Sequence, residues 1–272
     1  MTGCTPTGPC EDAATIPAGV STFELLGASA LAECDDNCGP FCGSETSSCS
    51  DRLSLGAVTL RGLYPIIDLD TLGQRGAEPL AFAERVLAAR PPLIQLRAKS
   101  LGGGATLAML RELVPRCRAS GTALFANDRP DLAVLAGADG VHVGQDDLPV
   151  AEVRRFAPGL RVGVSTHDLA ELERALAERP DYVAFGPVFA TPSKRNHEPV
   201  VGLNGLERAH ALSFAAKVPL VAIGGIDFER ATLARAHAEV VAVIGALLPA
   251  GATLDGVTER AVALERAVLD SH

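Results

Sequence analysis

From Leu63 onward the chain alternates short β-rich apolar runs with helical stretches at nearly even spacing, and few folds accept that rhythm. The runs are Leu63 to Ile67, Leu93 to Leu96, Ala123 to Ala126, Gly140 to Val143, Arg161 to Val164, Tyr182 to Phe185, Leu220 to Ile223 and Val240 to Ile244. Between them lie amphipathic stripes: Leu107, Leu110 and Val114; Leu169, Leu172 and Leu176; and at the end Val257, Ala261, Leu264 and Val268. A helix between consecutive strands makes them parallel. Eight β-α units in about 210 residues predict an α/β protein, a compact (β/α)8 TIM barrel, with a doubly wound open sheet as the alternative.

The first 57 residues break the rhythm. They are rich in Gly, Pro, Ser and Thr and hold six of the seven cysteines, at Cys4, Cys10, Cys34, Cys38, Cys42 and Cys49, leaving Cys117 in the body. Residues 1–57 are therefore expected to be a Cys-rich, flexible, disordered N-terminal extension to a barrel domain at 58–272. The Cys34-x3-Cys38-x3-Cys42 spacing leaves a zinc or iron-sulfur site open, although it matches no CxxC pairing. A translation start near Val58 is also left open.

Composition narrows the partners. A net charge of -9 repels polyanions, so nucleic acid is not an expected partner and any phosphate must be met by local cations. No apolar run reaches the ~20 residues of a membrane span, and the N-terminus lacks a signal-peptide pattern, so a cytoplasmic protein is expected.

In a parallel barrel the chemistry gathers at the C-terminal ends of the strands. The second run ends in Gln95, Arg97 and Lys99; an Arg and Lys two apart are expected on one side, suited to two oxygens of one diphosphate. The third and fourth end in Asn127, Asp128 and Asp147, two hard carboxylates that suit Mg2+ shared with a diphosphate. A helix over Asp131 to Ala136 gives these acids a second reading, since Asp128 or Asp131 suits a helix cap. The fifth ends in Ser165 and His167. Thr191, Ser193 and Lys194 follow the sixth, Gly224-Gly225 the seventh, and Ile244-Gly245 the eighth. The glycine pair would let backbone amides approach a phosphate.

Six of these segments carry a family resemblance: QLRAK at 95–99, NDRPDLA at 127–133, GADGVHVGQDDL at 137–148, GVSTH at 163–167, DYVAFGPVFATPSK at 181–194 and VAIGGI at 221–226. In order, and on the predicted strand ends, they resemble thiamine phosphate synthase across about Leu60 to Leu248. The resemblance implies a transferase of thiamine biosynthesis that joins a hydroxymethylpyrimidine diphosphate to a thiazole phosphate and releases pyrophosphate with Mg2+. It implies Arg97, Lys99, Ser165 and Lys194 as catalytic, and Gln95, Leu96, Ala98 and Asn127 around the pyrimidine diphosphate. Thr191, Ser193, Gly224, Ile244 and Gly245 would hold the thiazole phosphate, and Asp128 and Asp147 the metal. His142 and His167 are read as structural, because the thiazole nitrogen needs no base.

The chain departs from the family pattern at Ser193, where Thr is usual, and at Gly245, where a Ser commonly helps hold the thiazole phosphate. Two other readings are a thiazole tautomerase of the same barrel type and a sensor using the cysteine segment as a switch. Neither needs Lys99, Asp128 and Asp147 together. A homo-oligomer is compatible with all three.

Overall fold

A computed structural model describes residues 60–190 and 199–269. The strands are β1 (Gly62–Asp68), β2 (Leu93–Arg97), β3 (Ala123–Asn127), β4 (Gly140–Val143), β5 (Arg161–Thr166), β6 (Tyr182–Phe185), β7 (Leu220–Ile223) and β8 (Val240–Val243). Each pairs in parallel with the next and β8 pairs with β1, closing the ring in sequence order. The expected barrel is thereby present, and the alternative of a doubly wound open sheet is excluded. The helices are α1 (Leu69–Gln74), α2 (Pro79–Leu87), α3 (Gly103–Ser120), α4 (Pro130–Ala136), α5 (Val150–Phe156), α6 (Leu169–Ala177), α7 (Gly202–Ala216), α8 (Phe228–Ala234) and α9 (Val257–Leu269).

The predicted strands hold to within two residues. Those before polar termini run slightly longer, through Asp68, Arg97, Asn127 and Thr166, because the ladder continues into the residues that turn toward the mouth. Helix α4 starts at Pro130, whose fixed φ suits a first helical position.

Two apolar layers follow from the strand alternation. Outward residues such as Leu63, Ile67, Ile94, Val141, Val183 and Val241 pack under the helices. Inward residues, among them Tyr64, Ile66, Leu93, Phe125, Tyr182, Val221 and Val240, fill the barrel. Two inward positions must be glycine. A Cβ at Gly140 would lie 2.3 Å from the Phe125 ring and one at Gly163 would lie 2.0 Å from the Tyr182 ring, so β4 and β5 make room for large side chains across the interior.

At the barrel floor, carboxylates cap the strand starts. Leu63 N donates to Glu265 (2.6 Å), Leu124 N to Asp139 (2.8 Å), Val162 N to Asp181 (2.8 Å) and Leu220 N to Glu239 (2.9 Å). Three of the acids immediately precede β4, β6 and β8. Asp139 and Asp181 return the bond through their own amides, to Leu124 O and Val162 O. Each acid thus satisfies an amide that a strand would otherwise bury unpaired.

Candidate active site

The mouths of β1 to β4 bring five charged groups together. Asp68, at the end of β1, is buried; its carboxylate caps α1 through Thr71 N (2.8 Å), takes the Thr71 hydroxyl (2.6 Å), and ion-pairs with Arg97 at the end of β2. Lys99, just past β2, places Nζ 3.1 Å from Asp128. Arg97 therefore leans toward β1 and Lys99 toward β3, the two neighbours of β2. The expectation that both cations face one side gives way to this split: Lys99 lies beyond the strand, where the alternation that placed them together no longer operates.

Asp128 follows β3 with φ of 61°, a left-handed conformation that Asp tolerates better than most residues. Its amide extends the β3–β4 ladder by donating to His142 O at 2.8 Å, so the carboxylate turns out of the strand line. Asp147 folds back to accept from Gly144 N at 2.7 Å. Burial, reinforced by Asp128 within hydrogen-bonding reach, raises the Asp147 carboxyl above its usual range, against the pull of the Gly144 amide and Lys99. Asp128 is not the helix cap: the N-cap position of α4 is Arg129, which makes no side-chain cap, while Asp131 in the first turn pairs with Arg129 (2.8 and 2.6 Å) and accepts from the Leu132 amide. Among the described residues no three His, Cys, Asp or Glu side chains form a group able to hold a metal. Two carboxylates remain, which suits a small hard cation that keeps its other positions for water and phosphate oxygens.

Below this rim a polar chain crosses the barrel interior. Gln95 Nε2 donates to the Tyr64 hydroxyl (2.7 Å), the Tyr64 and Tyr182 hydroxyls lie 2.8 Å apart, Tyr182 is 2.9 Å from His142 Nδ1, and His142 Nε2 is 3.0 Å from Ser165 Oγ. Gln95 and His142 are buried, and burial raises both tyrosines above the usual phenol range. Asn127 ends β3 opposite His142, and Gln145 donates to Ser165 O at 2.6 Å.

The far side of the mouth is built from glycine turns. Gly224 (φ 103°) and Gly225 (φ 64°) follow β7, and a Cβ on either would strike Pro187 Cα at 2.5 Å or Ala190 O at 2.4 Å. This close approach lets Val188 N reach Ile223 O (2.9 Å) and Phe189 N reach Gly224 O (3.0 Å), tying the segment after β6 to that after β7. Past β8, Ile244 and Gly245 follow, and Arg75 from the end of α1 donates to Gly245 O at 3.2 Å. Its Nη2 lies 3.1 Å from where a Gly245 Cβ would stand, so the guanidinium occupies space a side chain would need. Thr191, Ser193 and Lys194 lie outside the described residues. His167 sits apart from the interior chain, 3.0 Å from Glu171.

The structure thus gathers Gln95, Arg97, Lys99, Asn127, Asp128, Asp147, Ser165, Gly224, Ile244 and Gly245 at strand ends on one rim, with Leu96 and Ala98 between the β2 groups. Sequence reasoning missed Asp68, Tyr64, Tyr182 and Arg75. Asp68 ends a strand as the chosen acids do, and that signal was available. The tyrosines read as core, and Arg75 stands 170 residues from the glycine it contacts.

A family model described as thiamine monophosphate synthase matches residues 63–247. The chain is 46% identical over 195 residues to a thiamine-phosphate synthase of Anaeromyxobacter dehalogenans, covering 70% of this chain and 82% of that one. A thiamine-phosphate synthase of Methanoculleus marisnigri is 42% identical over 191 residues, 70% of this chain and 88% of the other. Among solved structures, a thiamine phosphate pyrophosphorylase from Pyrococcus furiosus superposes with a TM-score of 0.67 at 29% identity, covering 76% of this chain and 95% of that one.

Proposed function

Because the chain belongs to the thiamine monophosphate synthase family and is a transferase that makes thiamine phosphate, we infer that the rim residues divide between two substrates. The β2–β4 side takes the pyrimidine diphosphate and the β6–β8 side the thiazole phosphate. The observation that carries this is the convergence of Lys99, Asp128 and Asp147 within ion-pair and hydrogen-bond reach.

In the reaction the bond between the pyrimidine methylene and the diphosphate oxygen breaks, its electron pair leaves with pyrophosphate, and the thiazole nitrogen lone pair forms the new C–N bond. Negative charge grows on the departing oxygens, so groups that meet it there lower the barrier. Arg97 and Lys99 supply fixed positive charge, with Asp68 holding Arg97 in place; Lys194 completes the set in this reading. Asp128 and Asp147 would hold Mg2+, which when bound offsets charge on the diphosphate. Their mutual repulsion and the upward shift of Asp147 are relieved by any cation lodged between them. A thiazole tautomerase or a ligand sensor expels no diphosphate and has no use for this group.

On the other side, the amides at Gly224 and Gly245 suit a phosphate, with Thr191 and Ser193 adding hydroxyls. The missing serine at position 245 is offset by Arg75, whose guanidinium fills the vacated space and brings a full charge to the end of β8. Full-length protein given Mg2+, hydroxymethylpyrimidine diphosphate and thiazole phosphate should release pyrophosphate and form thiamine phosphate in equal amounts. Arg75→Ala should raise KM for thiazole phosphate about tenfold with little change in kcat, the pattern of lost ground-state binding. Absence of pyrophosphate would overturn the assignment of the rim, and an unchanged KM that of Arg75.

A further inference from the structure

The interior chain from Gln95 to Ser165 is longer than stability requires. Barrel interiors are ordinarily filled by branched apolar side chains, and replacing paired polar groups by apolar ones of like shape is close to neutral. Here five polar side chains are strung across the core, and Gly163 is given up so that the Tyr182 ring fits.

Hydrogen counting sets the direction of this chain. The Gln95 amide nitrogen can only donate, so the Tyr64 oxygen accepts from it. If Tyr182 also donated to Tyr64, the Tyr64 proton would have no acceptor inside a fully buried pocket, which is unfavourable. Tyr64 therefore donates to Tyr182. Tyr182 in turn donates to His142 Nδ1, which puts the imidazole proton on Nε2, and Nε2 donates to Ser165. Two ends remain for a ligand. Gln95 Oε1 takes no hydrogen bond within the described residues and is not among their buried unpaired atoms, so it is reachable as an acceptor. Ser165, having accepted from His142, keeps its own proton to donate.

By the family resemblance Gln95 and Ser165 both serve the pyrimidine diphosphate, and an acceptor and a donor together complement the edge of a 4-aminopyrimidine, whose exocyclic N–H donates and whose adjacent ring nitrogen accepts. A 4-oxopyrimidine presents the reverse, a carbonyl acceptor beside a ring N–H. Building on the pyrimidine assignment above, we propose that Tyr64, Tyr182 and His142 are positioning residues forming a polarised wire that fixes Gln95 as acceptor and Ser165 as donor, so that the site selects an aminopyrimidine over its oxo counterpart.

Cutting the wire tests this. In Tyr182→Phe the Tyr64 proton has only Gln95 left to meet, so the amide turns over and offers its NH2 outward. The readout is the ratio of kcat/KM for the 4-amino and 4-oxo diphosphates, compared between wild type and variant so that the intrinsic reactivities cancel. The ratio should fall at least about tenfold, since a buried polar pair left mismatched is a strong source of discrimination. Nitrogen-15 spectra of the full-length protein should show His142 protonated on Nε2 in the wild type, and the Nδ1 form appearing in Tyr182→Phe. Tyr64→Phe should lower the substrate ratio yet keep the Nε2 form, because Tyr182 can still donate to His142; it also serves if the first variant fails to fold. An unchanged ratio in a folded variant, or a wild-type His142 protonated on Nδ1, overturns the wire. A wild type that makes no thiamine phosphate sinks the substrate assignment instead, and the tautomer measurement still decides the polarity.

Discussion

The two ends of the barrel use the same residue types for opposite ends. At the floor, Glu265, Asp139, Asp181 and Glu239 each accept a strand amide, and three of these acids stand immediately before the next strand. At the mouth, Asp128 and Asp147 face one another, Asp128 on a left-handed backbone, with Lys99 beside them. The floor acids complete bonds that the fold itself leaves open. The mouth acids are held where their own charges conflict, which costs stability and is retained at sites whose purpose is to receive another charge. Position on the barrel, more than residue type, separates structural from reactive carboxylates.

The sharpest way to break that contrast is to neutralise one acid at each end. Asp128→Asn keeps the left-handed backbone acceptable and should lower turnover by at least about 100-fold, since the loss is electrostatic and local. Thermal unfolding should move by no more than a degree or two, because repulsion with Asp147 is lost along with the Lys99 pair. Comparable activity in that variant would place Asp128 with the floor acids.

At the floor the order inverts. Asp181→Ala leaves the Val162 amide without its partner and should cost about 1–3 kcal/mol, a fall in Tm of a few to about 10 °C, with turnover per folded molecule unchanged. A loss of turnover without a fall in Tm would erase the distinction.

A smaller effect sharpens it. Burial raises Glu265 to about 7 despite the Leu63 amide, which pulls the other way. Since the folded state holds this proton more tightly than the unfolded chain, the stabilising contribution is complete below the ordinary glutamate range. It is lost as pH rises toward 7. Glu265→Gln cannot ionise, so its Tm relative to wild type should climb between about pH 4.5 and 7 and then level off. A flat difference would mean that the carboxylate is not desolvated.

Much of this molecule is legible in its sequence because its information is local. Strand positions follow from apolar runs, and their order around the ring follows from short helical crossovers, which also place Gln95, Arg97, Asn127, Asp128 and Ser165 on one rim. What escaped notice depends on distance across the barrel. Tyr64 and Tyr182 are 118 residues apart, and each is indistinguishable from an apolar core residue until its hydroxyl is seen to meet the other. The split of Arg97 and Lys99 escaped for a different reason: alternation predicts side-chain direction only while the strand lasts, and β2 ends at Arg97. The floor caps lay in plain view as an acid before each of β4, β6 and β8, but an acid before a strand carries no meaning until the neighbouring amide is known.

Those caps bear on how the ring is assembled. Leu124 and Asp139 are 15 residues apart, and the Val162–Asp181 and Leu220–Glu239 pairs are each separated by 19, so these stitches form within a single β-α-β segment. Glu265 and Leu63 are 202 residues apart, which makes theirs the one of these four bonds with the greatest loop-closure cost. A chain emerging from the ribosome can secure the first three as each segment appears, but the fourth must wait for α9. Until that helix arrives, the β8–β1 seam lacks its clasp, and a strand edge left unclasped is the place where one unfinished copy is most liable to pair with another.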